Sequence, residues 1–341
     1  MTTLSTLSGV QLNRAAAFPA KFVDNPFRAV ALSTLQRRNA ALDSVFYDVG
    51  VITPDETPDL AFWLAREGAI VAVPPSSQGR LRLFLTPEEF YRDGGAVAAL
   101  TVAGVGSSAL GAAGFARNVA DSLNKPVAAV VSGYGLADVL TEALGGFFWF
   151  GALNSIRHMF EPLDAATKLF TRSEQSMEAS GGVAWARTSR DTQTVIALLK
   201  SDQFTGTLLV GHSKGNLVIS EALYAIASES EALAEDLAKR FRIVTVSAKI
   251  GMPAFFRQVL DIIGEWDWLG ALNSRPDLKA DFTVPHAWHS TNPEFPLDMG
   301  IRVTATLKKV LPMFDAPSKA AAKTSPIPDL PQLMTAALHT R

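Results

Sequence analysis

The segment Thr205 to Ser220 reads TGTLLVGHSKGNLVIS, and the serine at its centre is placed where it could act as a nucleophile. A short apolar run, Leu208-Leu209-Val210, leads into Gly211-His212-Ser213-Lys214-Gly215, and an amphipathic helical stretch, Asn216 to Ala227, follows directly. G-x-S-x-G between a strand and a helix is the setting in which the pattern marks a sharp turn that lifts a serine hydroxyl clear of a sheet. The flanking glycines have a steric reason. A Cβ at Gly211 or Gly215 would clash where the strand and helix backbones close on each other. A hydroxyl is a weak nucleophile until a neighbouring base takes its proton, and histidine titrates near the pH at which that transfer is needed. The chain has five histidines. His212 adjoins the serine and is expected to point away from it in a structural role, His158 lies in an insertion, and His339 lies in the tail. His286 and His289, in VPHAWHSTNP, remain.

The strand, GHSKG turn and helix resemble the α/β-hydrolase superfamily, in particular its lipase and esterase branch. The resemblance covers roughly Gly68 to Leu311, with the elbow its only specific motif. It implies a mostly parallel, doubly wound sheet with helices on both faces, and a serine, acid and histidine in that chain order. On that footing the base lies on a loop after the last sheet elements. His289 is favoured, because His-Ser-Thr-Asn opens the loop before a helix expected over Leu297 to Val310; His286 is the alternative. The acid falls between Ser213 and that histidine, in a loop after a strand. Gln258 to Ile263 (QVLDII) reads as the strand and Gly264-Glu265-Trp266-Asp267 as the loop, which selects Asp267, a short carboxylate shielded between Trp266 and Trp268. Glu265, Asp261, Asp277 and Asp281 stay open, as does a solvent-facing Asp267 with no such role. The oxyanion hole implied by the family takes one N–H from the residue after the nucleophile, Lys214, and one from the loop after an early strand, Gly104-Val105-Gly106-Ser107. Val105 is chosen there by position alone, since the His-Gly pair usual in that loop is absent. The Lys214 ammonium could add positive potential near an oxyanion, although an exposed lysine at a helix start is the commoner arrangement. The reading is then a serine hydrolase of carboxylic esters, acting on a small-molecule or lipid-like substrate with no metal or organic cofactor.

Two other readings compete. Gly104 to Ala109 also satisfies G-x-G-x-x-G/A after a strand and before a helix, a pattern that holds a dinucleotide pyrophosphate. The acid expected about twenty residues later for the ribose is missing: the next strand ends Val130-Val131-Ser132-Gly133. The third reading is a hydrolase-like fold that binds without turnover, for instance at a lipid surface.

Composition bounds the partners. The 341 residues carry 31 basic and 33 acidic side chains, a net charge of −2, without a basic run suited to nucleic acid. Hydrophobic residues make up 48% and the mean hydropathy is +0.16, enough for a large core. There is no cysteine, hence no disulfide, thiolate metal site or thiol nucleophile. The first residues lack a basic start followed by an apolar stretch, so no secretory signal is expected and the cytoplasm is the expected compartment. Gly94 to Ala116 carries no charge and is long enough to span a bilayer, but its glycines and its Ser107-Ser108 pair suit a strand, turn and helix start better. No transmembrane segment is expected. Oligomeric state is open.

The elements that must position the site follow from periodicity. Residues 1–66 read as a helical and loop-like leader packed on the core, with the sheet edge as a place for it. Gly68 to Val73 and Arg80 to Leu85 read as strands joined by a turn, an antiparallel opening to the sheet. Strand Ala98 to Ala103, helix Ser108 to Leu123, strand Val127 to Val131 and helix Leu136 to Leu144 follow. A helix over Thr192 to Lys200, the elbow strand, and strand Arg242 to Ser247 complete the alternation of a parallel sheet. Residues 145–185 interrupt it with an aromatic-rich insertion, readable as a cap over the site or as a buried helical hairpin. GALNS occurs twice, at Gly151 to Ser155 and Gly270 to Ser274, which does not make a repeat. Residues 315–341, rich in Pro, Ala and Lys, read as a flexible tail.

Overall fold

The computed structural model describes residues 43–60, 67–104, 107–132, 189–275 and 277–315. The insertion over 145–185, the helix expected over Leu136 to Leu144, most of the leader and nearly all of the tail lie outside them. The core is an eight-stranded sheet. In chain order the elements are β1 (Ile70–Val73), β2 (Arg82–Phe84), α1 (Pro87–Asp93), β3 (Ala99–Val102), α2 (Ala109–Leu123) and β4 (Val127–Val130). They continue with α3 (Arg190–Lys200), β5 (Leu208–His212), α4 (Lys214–Glu229), α5 (Glu231–Arg240) and β6 (Arg242–Val246). The last are β7 (Val259–Gly264), α6 (Trp268–Leu272), β8 (Phe282–Val284) and α7 (Val303–Val310). Strand order is β2-β1-β4-β3-β5-β6-β7-β8. β1 pairs antiparallel with both β2 and β4, and every pairing from β4 to β8 is parallel. This is an α/β fold with a mostly parallel sheet.

The strand sequences explain why both faces are covered. Parallel strands buried on two sides read as continuous apolar runs, and β1, β3, β4 and β5 are buried at every position. Alternate residues then serve opposite faces. Leu208 and Val210 join the core with α2, α7 and residues 47–60, while Leu209 joins the core with α3, α4 and α5.

That division sets the position of the site. The chain leaves β3 through α2 on one face and leaves β5 through α4 on the other, and β3 lies next to β5. Where adjacent parallel strands send their helices to opposite faces, the loops at the carboxyl ends part and leave a crevice. Ser213 follows β5 at that point, and Gly104 follows β3 opposite it.

The glycines of the elbow permit the close approach. A Cβ at Gly215 would lie 2.6 Å from the Val102 carbonyl carbon and 2.8 Å from the Ala103 oxygen, and one at Gly211 would lie 2.8 Å from the Asn216 nitrogen. These are backbone atoms of the central sheet and of α4, with little room to yield. Gly215→Ala should therefore cost about 3 kcal/mol or more through overpacking against fixed main chain, read as a fall in the urea midpoint; a midpoint unchanged from wild type would show that β3 and α4 can separate.

Two expectations need correction, and several features are new. The helix expected over Leu297 to Val310 is only Val303–Val310; Pro296–Asp298 forms a 3-10 turn with Leu297 and Asp298 at positive φ. Those left-handed residues cannot continue a right-handed helix, and Gly300 beyond them packs so closely on Asn292 that a Cβ would lie 2.7 Å from its carbonyl carbon. Residues 43–60 pack on the core beside the edge strand β2, where Glu56 accepts the Leu81 N–H at 3.0 Å. Tyr47, Val49, Ile52 and Leu60 join the core with α2, and Tyr47 reaches the loop after β3. Helices α1 and α5 and the short strand β8 were not anticipated, although Thr86 and Ser230 cap the two helices with side-chain acceptors. Finally, Lys214 is not an exposed helix-start lysine: its side chain is buried.

Among the described residues no helix is long and apolar enough to cross a membrane.

Candidate active site

Ser213 stands between β5 and α4 with φ 52° and ψ −118°, a conformation that costs a non-glycine residue about 1–3 kcal/mol. Its surroundings hold it there. Its N–H donates to the Val246 carbonyl at 2.9 Å, and its own carbonyl accepts the Asn216 N–H at 3.1 Å. The Asn216 side-chain amide donates to the carbonyls of Val246 and Ala248, both at 3.0 Å, and so ties the start of α4 to the end of β6.

His289 Nε2 lies 2.9 Å from Ser213 Oγ, and His289 Nδ1 lies 2.8 Å from Asp267 Oδ1. Serine, histidine and aspartate come from three separate loops and meet in a nearly water-free setting, with Ser213 9% and His289 2% exposed. The carboxylate can only accept, so it fixes the proton on Nδ1 and leaves the Nε2 lone pair facing the serine hydroxyl. Ser213 O–H therefore donates to His289, and His289 Nδ1–H donates to Asp267.

Asp267 is shielded, but not by its tryptophan neighbours, which are 48% and 57% exposed. It is the N-cap of α6, and Oδ1 also accepts the Gly270 N–H at 2.6 Å. A Cβ at Gly270 would come within 2.5 Å of Asp267 Oδ2. The second GALNS segment thus begins inside the one-turn helix that holds this carboxylate and supplies the Gly270 N–H, a role the sequence did not disclose. Its first copy lies outside the described residues.

The other carboxylates are engaged elsewhere. Asp261 accepts from the Thr245 hydroxyl within the sheet at 2.5 Å, Asp281 accepts the Asp261 N–H at 2.7 Å, and Asp277 pairs with Arg275. Glu265 accepts the His286 N–H at 2.8 Å. The His286 ring packs on Trp266 with its side chain 71% exposed, away from the serine. His286→Gln is expected to leave ester turnover within about twofold of wild type, as for surface changes generally; a large loss in a turnover assay would reverse the assignment of the base.

His212 is buried and makes two bonds whose directions are forced. The His289 carbonyl accepts from Nε2–H at 2.9 Å, so Nδ1 is the acceptor and Tyr47 O–H donates to it at 3.0 Å. Burial and then the neighbouring His289 charge push this imidazole down to about 3, so it stays neutral at any ordinary working pH. Burial likewise draws the Lys214 ammonium down to about 8 against the opposing pull of Glu67 and Glu221. As the first residue of α4, Lys214 places its N–H at the positive end of the helix dipole. Val105 lies outside the described residues; of its loop, Gly104 donates its N–H to Tyr47 Oη at 2.5 Å, and Ser107 N–H returns to the Gly104 carbonyl. Tyr47 had no local signal to reveal it, being separated from His212 by 165 positions of chain.

Rings crowd His289. Phe46 meets His289 edge-on at 5.8 Å, and Trp288 stacks on Phe295 at 5.0 Å beside it. Among the described residues no group of His, Asp and Glu is arranged to hold a metal ion. No family model, curated protein or solved structure matches the chain.

Proposed function

We propose that the protein is a serine hydrolase of carboxylic esters on an α/β-hydrolase-like fold, with Ser213, His289 and Asp267 as its triad. The observation that carries this reading is the unbroken relay from Ser213 Oγ through His289 to Asp267, at 2.9 and 2.8 Å, with the serine in a strained backbone state. Backbone strain held by surrounding bonds at a chemically competent side chain is characteristic of functional sites.

The steps follow from the tautomer. Ser213 Oγ attacks the acyl carbon as its proton passes to His289 Nε2. The imidazolium is stabilised by the buried Asp267 carboxylate, and the carbonyl oxygen becomes an oxyanion. The Lys214 N–H at the head of α4 is the first donor to it, and the second is assigned to Val105, since the Gly104 N–H is taken by Tyr47. Collapse expels the alkoxide, which takes the proton from Nε2 and leaves an acyl-serine. Water, deprotonated by His289, then releases the acid and restores the hydroxyl. His212, neutral throughout, adds no charge to oppose the imidazolium.

The dinucleotide reading has nothing to favour it at the helix it requires. The head of α2 is capped by the Ser108 side chain and already faces a carboxylate, Asp43, which accepts the Ser108 N–H at 3.0 and 3.1 Å. A pyrophosphate there would have to displace this buried carboxyl group, which burial pushes up to about 7.

The test is covalent. A fluorophosphonate should label wild-type protein at Ser213, mapped by peptide mass, and block turnover of a p-nitrophenyl ester series. Half-buried Phe46 and Trp288 beside the base support a preference for apolar acyl groups within that series. An unlabelled Ser213 would leave only a binding role for the fold.

A further inference from the structure

Residues 43–48 touch the loop after β3, the end of β5 and the loop that carries His289, without supplying any of the reacting atoms. Tyr47 Oη accepts the Gly104 N–H at 2.5 Å and donates to His212 at 3.0 Å, and His212 in turn donates to the His289 carbonyl at 2.9 Å. Asp43 accepts the Ser108 N–H, so the segment fastens both ends of the loop that follows β3. Its carbonyls also bind the loop of the base. The Phe46 carbonyl accepts both the N–H and the hydroxyl of Thr291 at 2.8 Å, Val45 accepts the Ser290 hydroxyl at 2.7 Å, and Ser44 accepts the Asn292 amide at 2.8 Å. Farther along the chain, buried Glu56 pairs with Arg117 of α2 at 2.5 Å.

Each polar atom in the path has one available role. Gly104 N–H can only donate and the His289 carbonyl can only accept, so the phenol and the imidazole between them are oriented along a single line. A buried chain of this kind is rigid, because a reversal at any member leaves an unpaired polar group at each end. Gly104 also packs on the nucleophile, where a Cβ added to it would stand 3.0 Å from Ser213 Cβ.

Resting on the hydrolase reading above, we propose that Tyr47 is a positioning residue: through Gly104 on one side and His212 on the other, its hydroxyl locks the oxyanion loop and the base into one unit. Displacing either group by about an ångström would cost on the order of a hundredfold in rate without weakening substrate binding.

The experiment uses the full chain and a p-nitrophenyl ester. Tyr47→Phe keeps the ring against Phe115 and His212 and removes the hydroxyl. His212→Asn keeps an acceptor near the position of Nδ1 for Tyr47 and removes the donor to His289. Turnover is normalised to the serine that an exhaustive fluorophosphonate reaction titrates, so misfolded molecules do not count. Each variant should lose about tenfold to a hundredfold in kcat with KM within about twofold, and the double variant should be little worse than either single, as expected for residues acting as a unit. A merely structural tyrosine would reduce the titrated sites and leave kcat per site at the wild-type value, which would overturn the proposal. If Tyr47→Phe does not fold, the kcat per site of His212→Asn decides between the same two outcomes. Wild-type protein that neither labels nor turns over would overturn the hydrolase reading and this inference together; wild-type activity shared by both variants would overturn this inference only.

Discussion

Ser213→Ala should remove ester turnover by about ten-thousandfold or more while leaving the fold intact. The magnitude follows from the chemistry: without Oγ no acyl-enzyme forms, and what survives is the catalysis that oxyanion donors and substrate binding give to water. Stability should barely move, because the change removes one hydrogen bond, worth about 1 kcal/mol, and alanine meets the same positive φ as serine. His289→Ala should cost a similar factor, and the two together no more than either alone, since each removes the same unit. The measurement is kcat on a p-nitrophenyl ester with thermal unfolding in parallel. Full turnover in Ser213→Ala, with labelling by fluorophosphonate at another residue, would place the chemistry elsewhere in the molecule.

Much of the sheet is legible in the chain because its causes are local. Runs such as Leu208 to Val210 and Arg242 to Val246 are apolar at most successive positions, as strands covered on both faces must be, and the glycines at 211 and 215 mark where a helix has to turn back against them. Asp267 and His289 stand out by their place after particular strands, and the fold brings both beside Ser213. The shielding expected of Asp267 nevertheless has a different source. Its tryptophan neighbours in sequence project into solvent, and what buries the carboxylate is the turn of helix it caps. Tyr47 shows the opposite limit. Its partners Gly104 and His212 are fixed by the path of β3 and β5, and no pattern near residue 47 contains that path. The same holds for Lys214, whose burial is set by what the fold packs around the head of α4 and not by its place at a helix start.

Asp267→Asn should lower kcat by about a thousandfold to ten-thousandfold with KM nearly unchanged, the range expected when a triad histidine loses its carboxylate. Asparagine is the informative replacement because it can still cap α6, whereas alanine would also forfeit about 1 kcal/mol of helix-cap stabilisation. Two orientations of the new amide are open, and each is damaging. If its nitrogen faces His289 Nδ1, that ring atom must become the acceptor and its proton moves to Nε2, where it can no longer take one from Ser213. If its oxygen stays where Oδ1 now accepts from both His289 and Gly270, the tautomer survives. The full negative charge that steadies the imidazolium is then gone, and this pair is buried, so water offers little in its place. The Gly270 N–H favours the second orientation, which places the expected loss in charge stabilisation more than in geometry. A pH–rate profile separates the two: the second orientation moves the acid limb of kcat/KM to lower pH by weakening His289 as a base, while the first lowers the whole curve without moving it. Wild-type rates in Asp267→Asn would show that the imidazole needs no carboxylate here, and Ser213 and His289 would have to be treated as a dyad.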